Sequence, residues 1–337
     1  MNGNPSLPAR MRALWLERRT LAFREDVVRP ELVEPLTAIV RVRLAGICGT
    51  DLALLGGYYP YTGIPGHEFV GDVVAADDAA WIGQRVVGEI NVGCGGCEEC
   101  RRMGPAHCRF RKAIGIAGHA GAFAEYLSVP TANLHRVPDA VSDTAAVFTE
   151  PLAAALAILQ QVHVRPDDRV LLIGAGRLGQ LIAQTLALTG CDLSVIARHP
   201  LQQQLLARQG IASLSEDAPP AGLFDCVVEA SGSPSGFALA RRLLRPRGAL
   251  VLKSTYAGEV PVPLSSLVVD EVRLIGSRCG PFGPALRLLE QRRVDPTPLI
   301  SAVYPLSAGI EAFAAAREPN RLKILLSPDA EVGDLQR

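Results

Sequence analysis

The chain has 337 residues, of which 48% are hydrophobic and 20% are charged, so a globular protein of two domains is expected rather than a disordered chain. Lys plus Arg and Asp plus Glu both number 34, and this zero net charge argues against a nucleic-acid partner. Residues 1–10 lack the apolar segment of a signal peptide, and no apolar run reaches the length of a membrane span. We therefore expect no membrane partner and a cytoplasmic location.

The first third of the chain alternates short β-forming stretches with glycine and proline breaks. Alternating apolar residues near 11–16 and 38–45 are followed by valine-rich stretches at 69–75 and 84–90. Alternation with a period of two is typical of half-buried strands. A further strand over 122–129 closes the pattern near residue 140. The pattern predicts a β-rich module that carries its functional groups in loops.

Two glycine-bounded turns of this module carry side chains that can bind a metal. The motif GICGTD supplies Cys48 and Thr50, and the motif GHEFVG supplies His67 and Glu68. Zinc prefers thiolate and imidazole ligands, and a catalytic zinc needs three protein ligands and one open position. Glu150, in the segment TEPLAAAL, is the candidate for the third ligand. The alternative interpretation is a buried structural thiol and a surface histidine.

A dense group of cysteines follows these turns. Cys94, Cys97, Cys100 and Cys108 have the spacing C-x2-C-x2-C-x7-C. Without a secretion signal, such crowding favours metal binding over disulfides. Four thiolates can surround a tetrahedral zinc completely, which predicts a structural site that excludes substrate. An iron–sulfur cluster is the alternative, although the usual continuation x3-Cys-Pro is absent, and His107 could replace Cys108 as a ligand.

A glycine motif opens the second predicted domain. The apolar strand 169–173 leads into GAGRLG, and a helical pattern follows. Between a buried strand and a helix, Gly-x-Gly-x-x-Gly is a dinucleotide fingerprint, because the turn lets the backbone and the helix N-terminus approach the pyrophosphate. The residues that we assign to cofactor binding here are Gly174, Gly176, Arg177, Leu178 and Gly179.

Strands and helices alternate after this motif. Strands are predicted over 192–197, 224–232, 248–253 and 272–276, the second of them ending in a small-residue turn, with helices over 201–209 and 237–244 between them. This alternation predicts a parallel doubly wound sheet, and an α/β fold class for the chain as a whole. Ligands of such sheets bind at the carboxyl ends of the strands, which are candidate positions for cofactor binding. The small residues at these ends are Ser231, Gly232, Ser254 and Thr255.

The last segment is expected to return to the β-rich module. It contains predicted helices over 285–292 and 308–317 and predicted strands over 300–304 and 321–326. The predicted domains are therefore a β-rich domain over residues 11–145, completed by residues 284–330, and a dinucleotide-binding domain over residues 146–283.

The end of the second strand predicts the choice of cofactor. Domains that bind NAD usually carry Asp or Glu about 20 residues after the glycines, where it holds the ribose 2′-hydroxyl. That position is Ala197, and Asp192 stands at the opposite end of the strand. Arg198 offers a planar fork for a 2′-phosphate and His199 a further donor, which predicts NADP(H) over NAD(H). Alternatively, Arg198 stacks on adenine or faces solvent.

These motifs, together with GAFAEY, stand in the order found in zinc-containing medium-chain dehydrogenases of the alcohol, polyol and threonine dehydrogenase type. The chain resembles that family over residues 11–327. The resemblance implies a GroES-like catalytic domain, a Rossmann domain and an active site in the cleft between them. The two separate ligand sets, one closed and one open, predict two zinc ions per chain. The resemblance implies a catalytic zinc on Cys48, His67 and Glu150, which Glu68 can approach. It also implies a homodimer or homotetramer that transfers hydride between NADP(H) or NAD(H) and an alcohol or carbonyl substrate.

One position departs from the family pattern. Many relatives carry a histidine that finishes a proton relay where this chain has Ala53, so Thr50 remains without its second relay group. A catalytically weak protein of the same fold, with a sensory or structural role, therefore stays as an alternative. A zinc-ribbon nucleic-acid-binding module is a second alternative, which the neutral charge and the second Cys/His site disfavour.

Overall fold

Short apolar stretches form strands, and the alanine- and leucine-rich stretches form helices. The computed structural model describes residues 7–33, 35–217, 222–255 and 259–329. The predicted domain end at residue 330 lies just outside these ranges. The strands are β1 Arg10–Glu17, β2 Thr20–Val28, β3 Thr37–Gly46, β4 Glu68–Ala76, β5 Arg85–Gly88, β6 Asn91–Val92, β7 Lys112–Ile114, β8 Gly118–His119, β9 Tyr126–Pro130, β10 Leu134–Arg136, β11 Arg169–Ile173, β12 Asp192–Ile196, β13 Ala212–Leu214, β14 Phe224–Glu229, β15 Leu244–Leu252, β16 Arg273–Gly276, β17 Ile300–Pro305 and β18 Lys323–Ser327.

The helices are mostly short. They are α1 Gly49–Leu55, α2 Glu98–Met103, α3 Asp143–Ala146, α4 Thr149–Gln161, α5 Arg177–Ala187, α6 Pro200–Arg208, α7 Pro234–Leu243, α8 Leu264–Val269, α9 Phe282–Glu290 and α10 Gly309–Ala315. Within the described ranges, no helix is both long enough and apolar enough to cross a lipid bilayer.

The chain divides into two compact units. Unit 1 comprises the residues up to Glu150 and those from Ile300, and unit 2 comprises Pro151–Leu299. Both divisions fall later in the chain than the predicted boundaries after residues 145 and 283. Helix α9, which we expected to return with the last segment, therefore belongs to unit 2.

Unit 1 is β-rich. Among the described residues its largest sheet has the order β10-β5-β4-β3-β18-β17, and β9 also pairs with β3. The late strand β18 runs antiparallel to β3, with Leu325 opposite Gly46. Ile47 extends this pairing, since its N–H donates to the Ile324 carbonyl at 3.0 Å. Strand β18, from the last segment of the chain, therefore supports the turn that carries Cys48.

The core of unit 1 joins residues from both ends of the chain. Phe123 and Phe313 pack edge to face with their ring centroids 5.6 Å apart. Such a pair contributes about 0.5–1.5 kcal/mol beyond the area that it buries. Leu14 lies so close to Gly309 that a β-carbon there would meet it at 2.4 Å. The last segment is thus part of this core.

Unit 2 is a parallel sheet with the order β13-β12-β11-β14-β15-β16 among the described residues. Strand β11 pairs in parallel with β12 on one side and β14 on the other, so the strand order reverses at this point. Ligands of open α/β sheets bind beyond the carboxyl ends of the strands at such a reversal. The predicted α/β fold class, with a β-rich domain and a doubly wound parallel sheet, is confirmed.

Candidate active site and cofactor site

The first site lies at the start of helix α1. Cys48 is the N-cap of that helix, and its backbone N–H donates to Oδ2 of Asp51 at 2.8 Å. The Thr50 hydroxyl lies 3.9 Å from the Cys48 sulfur. Because side chains of the first helical turn project around the cap, the sequence GICGTD places a thiol, a hydroxyl and a carboxylate together.

One of the two candidate metal-binding groups of unit 1 lies at the start of this helix. Ligand atoms of Cys48, His67 and Glu68 all lie within 4.8 Å of one another. His67 and Glu68 are buried, with 3% and 1% of their surface exposed, so the cluster is not a chance grouping of surface charges. A sulfur, an imidazole nitrogen and a carboxylate oxygen form a donor set that fits zinc. The structure therefore supports the predicted pairing of Cys48 with His67.

Asp51 faces the imidazole of His67. Oδ1 of Asp51 lies 3.4 Å from Nδ1 of His67, and neither of these buried atoms meets the criteria for a hydrogen bond within the described part of the chain. A histidine that directs Nδ1–H at a carboxylate keeps its Nε2 lone pair for a metal, which is how metal-ligating histidines are usually oriented. Burial acts to lower the pKa of His67, but Asp51 and Cys48 outweigh it and hold that pKa well above its ordinary value, so a metal that binds Nε2 would displace a proton from it.

A buried ion pair lies against the same cluster. The Lys323 ammonium donates to Oε2 of Glu68, and these side chains are 2% and 1% exposed. Lys323 Nζ also lies 3.4 Å from the Ile47 carbonyl and 5.4 Å from the centre of the Phe148 ring. Gly46 leaves room for this carboxylate, because a β-carbon there would meet Oε2 of Glu68 at 2.4 Å. Lys323 therefore holds the Glu68 carboxylate in position.

Glu150 stands apart from this cluster. It occupies the first turn of helix α4 and is half-buried, but it does not belong to the group of donor atoms around Cys48. Ala53 lies inside helix α1, so that position offers no side chain for a proton relay. Glu150 as the third zinc ligand remains a prediction.

The four cysteines of the second cluster converge. Ligand atoms of Cys94, Cys97, Cys100 and Cys108 lie within 4.8 Å of one another, and His107 is not in this group. The Cys97 sulfur accepts the Cys100 N–H at 3.4 Å, and the Cys108 sulfur accepts the Cys94 N–H at 3.4 Å. The N–H groups of Cys94 and Phe110 lower the pKa of Cys108, whereas burial raises that of Cys100 to about 12. Four closely spaced thiols, two with N–H donors aimed at sulfur, fit a closed metal site.

The glycine motif forms the cradle of the cofactor site in unit 2. Gly174 has a φ of +101°, a left-handed conformation that favours glycine, and a β-carbon there would lie 2.7 Å from the Ala230 carbonyl. A β-carbon at Gly179 would lie 2.1 Å from the Gly174 carbonyl, whereas one at Gly176 would meet nothing within 4 Å. Gly176 caps helix α5, which begins with Arg177 and Leu178. The left-handed turn at Gly174, the close packing at Gly179 and the open space beside Gly176 therefore fit a bound pyrophosphate.

A cavity of about 170 Å³ lies above this cradle. Gly174, Gly176, Arg198, His199, Glu216 and Ser231 are among the residues that line it. Ser231 donates its N–H and hydroxyl to Oε1 of the buried Glu229, at 2.7 and 2.6 Å. The predicted cofactor residues on the glycine turn and on strands β12 and β14 are thus brought together.

The end of strand β12 carries the predicted specificity residues. Ala197 is buried, and Asp192 lies at the opposite end of the strand, opposite Arg169 rather than beside the glycine turn. His199 is the N-cap of helix α6, and its backbone N–H donates to Oε1 of Gln202 at 3.4 Å. The Arg198 guanidinium binds the carboxylate of Glu216.

Three residues of these sites were not assigned a role from the sequence. A signal for Asp51 exists, because a carboxylate three residues after Cys48 fits a capping box. Lys323 and Glu216 carry no such local signal, since each reaches its partner only through strand pairing.

Comparison with known proteins agrees with this picture. A model of the alcohol dehydrogenase GroES-like domain matches residues 34–139. The chain is 29% identical to D-arabinitol dehydrogenase 1 of Uromyces fabae, over 96% of this chain and 99% of that protein. It is 31% identical to the solved alcohol dehydrogenase of Thermus sp. ATN1, with a TM-score of 0.86 over 94% and 99% of the two chains. A zinc-binding dehydrogenase of Sinorhizobium meliloti, solved with NADP, gives a TM-score of 0.86 at 27% identity over 95% and 100%.

The fold, the glycine cradle and the donor clusters define a nicotinamide-dependent dehydrogenase. The chain belongs to the zinc-containing medium-chain dehydrogenase/reductase family, as the motifs predicted.

Proposed function

We propose that this protein is a zinc-dependent dehydrogenase that transfers hydride between a small polyol, or another alcohol, and NAD(P). The observation that carries the proposal is the buried cluster of Cys48, His67 and Glu68 in a chain that also forms a dinucleotide cradle. The name of the arabinitol dehydrogenase relative supports the polyol class. The same relationship favours an enzyme over a sensory or structural protein that binds cofactor without turnover.

Each group in unit 1 has a role in this proposal. Cys48 and His67 would hold the zinc, with Glu150 as the proposed third ligand, because Lys323 already holds one oxygen of Glu68. A zinc ion here would supply Lewis-acid chemistry, which stabilises negative charge on the reacting oxygen. The Thr50 hydroxyl, next to Cys48, would take the substrate proton. Since Ala53 provides no relay group, that proton would leave through water or the cofactor ribose.

A substrate screen tests the proposed function. Purified protein is offered NAD and NADP with panels of polyols, sugars, amino alcohols and simple alcohols, and reduced cofactor is followed by absorbance. We expect turnover with at least one polyol or other alcohol. The absence of reduction across all panels, with zinc and cofactor both bound, would contradict the proposal.

The four-cysteine cluster is proposed to hold a second, structural zinc. Cys97→Ser should lower the zinc content by one ion per chain and lower the thermal midpoint of unfolding, because a closed site contributes its binding energy to folding. Cys226→Ser, at a buried thiol in unit 2, is the control that should keep the zinc content. Iron with a visible chromophore in the wild-type protein would support the iron–sulfur alternative instead.

The cofactor is proposed to be NADP(H) in preference to NAD(H), because Ala197 leaves room for a 2′-phosphate beside Arg198. A hydrogen bond to a charged group contributes about 1.5–3 kcal/mol, which corresponds to roughly ten- to a hundredfold in affinity. Arg198→Ala should therefore raise the Kd for NADPH by about this factor and leave the Kd for NADH nearly unchanged. Ala197→Asp should shift the preference toward NADH. Titration of wild type and both variants with NADPH and with NADH measures these Kd values. Tighter binding of NADH than of NADPH by wild type would refute the preference for NADP(H).

A homodimer or homotetramer is proposed from the edge of unit 2. Strand β16 is the outer strand of the described sheet, and Leu274 on it is 43% exposed. Val268 and Val269 on helix α8 are 76% and 80% exposed. Two such edges could pair antiparallel and cover these side chains. Light scattering should give a mass of two or four chains, and a monomer at micromolar concentration would contradict the assembly.

A further inference from the structure

The Arg198 guanidinium already holds an anion. Its Nη2 donates to Oε1 of Glu216 at 2.9 Å, and its Nε donates to Oε2 of the same carboxylate. This bidentate fork is the geometry in which arginine also binds phosphate. The hydrogen bond from Arg198 holds the pKa of Glu216 below its usual value, so Glu216 is a carboxylate at neutral pH.

Strand pairing brings these two side chains together. Strands β12 and β13 run parallel, with Ile196 opposite Leu214 at their carboxyl ends. The Ala197 N–H donates to the Leu214 carbonyl at 3.1 Å, which extends the pairing by one residue. Arg198 and Glu216 each lie two residues beyond the paired ends. Both also line the cavity above the glycine cradle.

We propose that Glu216 is a specificity-determining residue of the cofactor site, because its carboxylate competes with the 2′-phosphate of NADP(H) for Arg198. This inference rests on the proposed function, in which the cavity binds a nicotinamide dinucleotide. A 2′-phosphate can bind the Nε–Nη2 edge of the Arg198 guanidinium only by displacing Glu216, which holds that edge. NAD(H) has a neutral 2′-hydroxyl, which needs no such displacement. Glu216 therefore reduces the preference for NADP(H) that Ala197 and Arg198 provide.

The test is the Kd of NADPH and of NADH for wild type and Glu216→Gln, measured by calorimetry on the full chain. Glu216→Gln should lower the Kd for NADPH by roughly tenfold, the scale of one hydrogen bond to a charged group, and should leave NADH nearly unchanged. The side chain of Glu216 is 32% exposed, so the amide is compatible with folding. An unchanged ratio of the two Kd values would overturn the inference.

A matched control separates this local competition from net charge. Asp192→Asn removes the same charge from the opposite end of strand β12, where Asp192 lies 3.6 Å from Arg169. It should leave both Kd values nearly unchanged, and a gain in NADPH affinity equal to that of Glu216→Gln would overturn the inference.

The variant Arg198→Ala/Glu216→Gln tests whether the competition acts through Arg198. Its affinity for NADPH should equal that of Arg198→Ala alone. If the gain from Glu216→Gln persists without Arg198, the proposed competition is wrong.

If wild type binds both cofactors and the Kd ratio does not respond to Glu216→Gln, this inference fails while the proposed function stands. If wild type binds neither cofactor, both fail.

Discussion

Cys48→Ala and His67→Ala are expected to abolish turnover while leaving the Kd for NAD(P)H nearly unchanged. Both side chains lie in unit 1, whereas the glycine cradle and its cavity lie in unit 2. Lewis-acid stabilisation of charge supplies several kcal/mol of a reaction barrier, so its loss should reduce kcat by on the order of a thousandfold or more. Steady-state kinetics with the best substrate measures the loss of kcat, and titration with NAD(P)H measures the Kd.

Cys191→Ala is the matched control for this prediction. Cys191 is a half-buried thiol in unit 2, with its sulfur 3.7 Å from the Leu186 carbonyl, and it belongs to neither donor cluster. This variant should keep the wild-type kcat. If Cys48→Ala or His67→Ala keeps most of its kcat as well, Cys48 and His67 do not hold the catalytic metal.

Lys323→Met is expected to lower the free energy of unfolding by about 3–5 kcal/mol, because it leaves the charge of a buried carboxylate without its partner. Lys323 and Glu68 are 2% and 1% exposed, so water cannot compensate the loss. Denaturant unfolding followed by tryptophan fluorescence measures the effect. Trp15 and Trp81 are the two tryptophans of the chain, and both lie in unit 1 with the ion pair.

Two further variants make this prediction specific to the buried pair. Lys323→Met/Glu68→Gln should recover much of the stability, because the uncompensated charge is then removed. Arg321→Ala breaks the exposed ion pair with Glu318 and should cost no more than about 1 kcal/mol. Equal losses for Lys323→Met and Arg321→Ala would contradict the assigned role of Lys323.

The features that were predictable from the sequence depend on local patterns. The glycine motif fixes a turn, a helix cap and a close packing contact within six residues, and each of these follows from the absence of a β-carbon. The four cysteines likewise lie within fifteen residues, so their convergence needs no long-range pairing. Such constraints can be derived without knowledge of the fold.

The features that were missed depend on distant pairing. Lys323 meets Glu68 across 255 residues of sequence, and only the pairing of β18 with β3 brings them together. Strand β13 is three residues long and carries no strong periodic signal, so the position of Glu216 beside Arg198 could not be predicted. Strand β2 was also missed, because its charged residues mask the alternation of a hairpin strand.

The measurement that tests the central claim most directly is the zinc content per chain, followed with turnover during treatment with a chelator. The two donor clusters predict two zinc ions, one in a closed four-thiolate site and one in a site with an open position. We expect kcat to fall in proportion as the first zinc leaves and to return when zinc is added back, with the second zinc retained. Full turnover in protein that has lost all of its zinc would contradict the account.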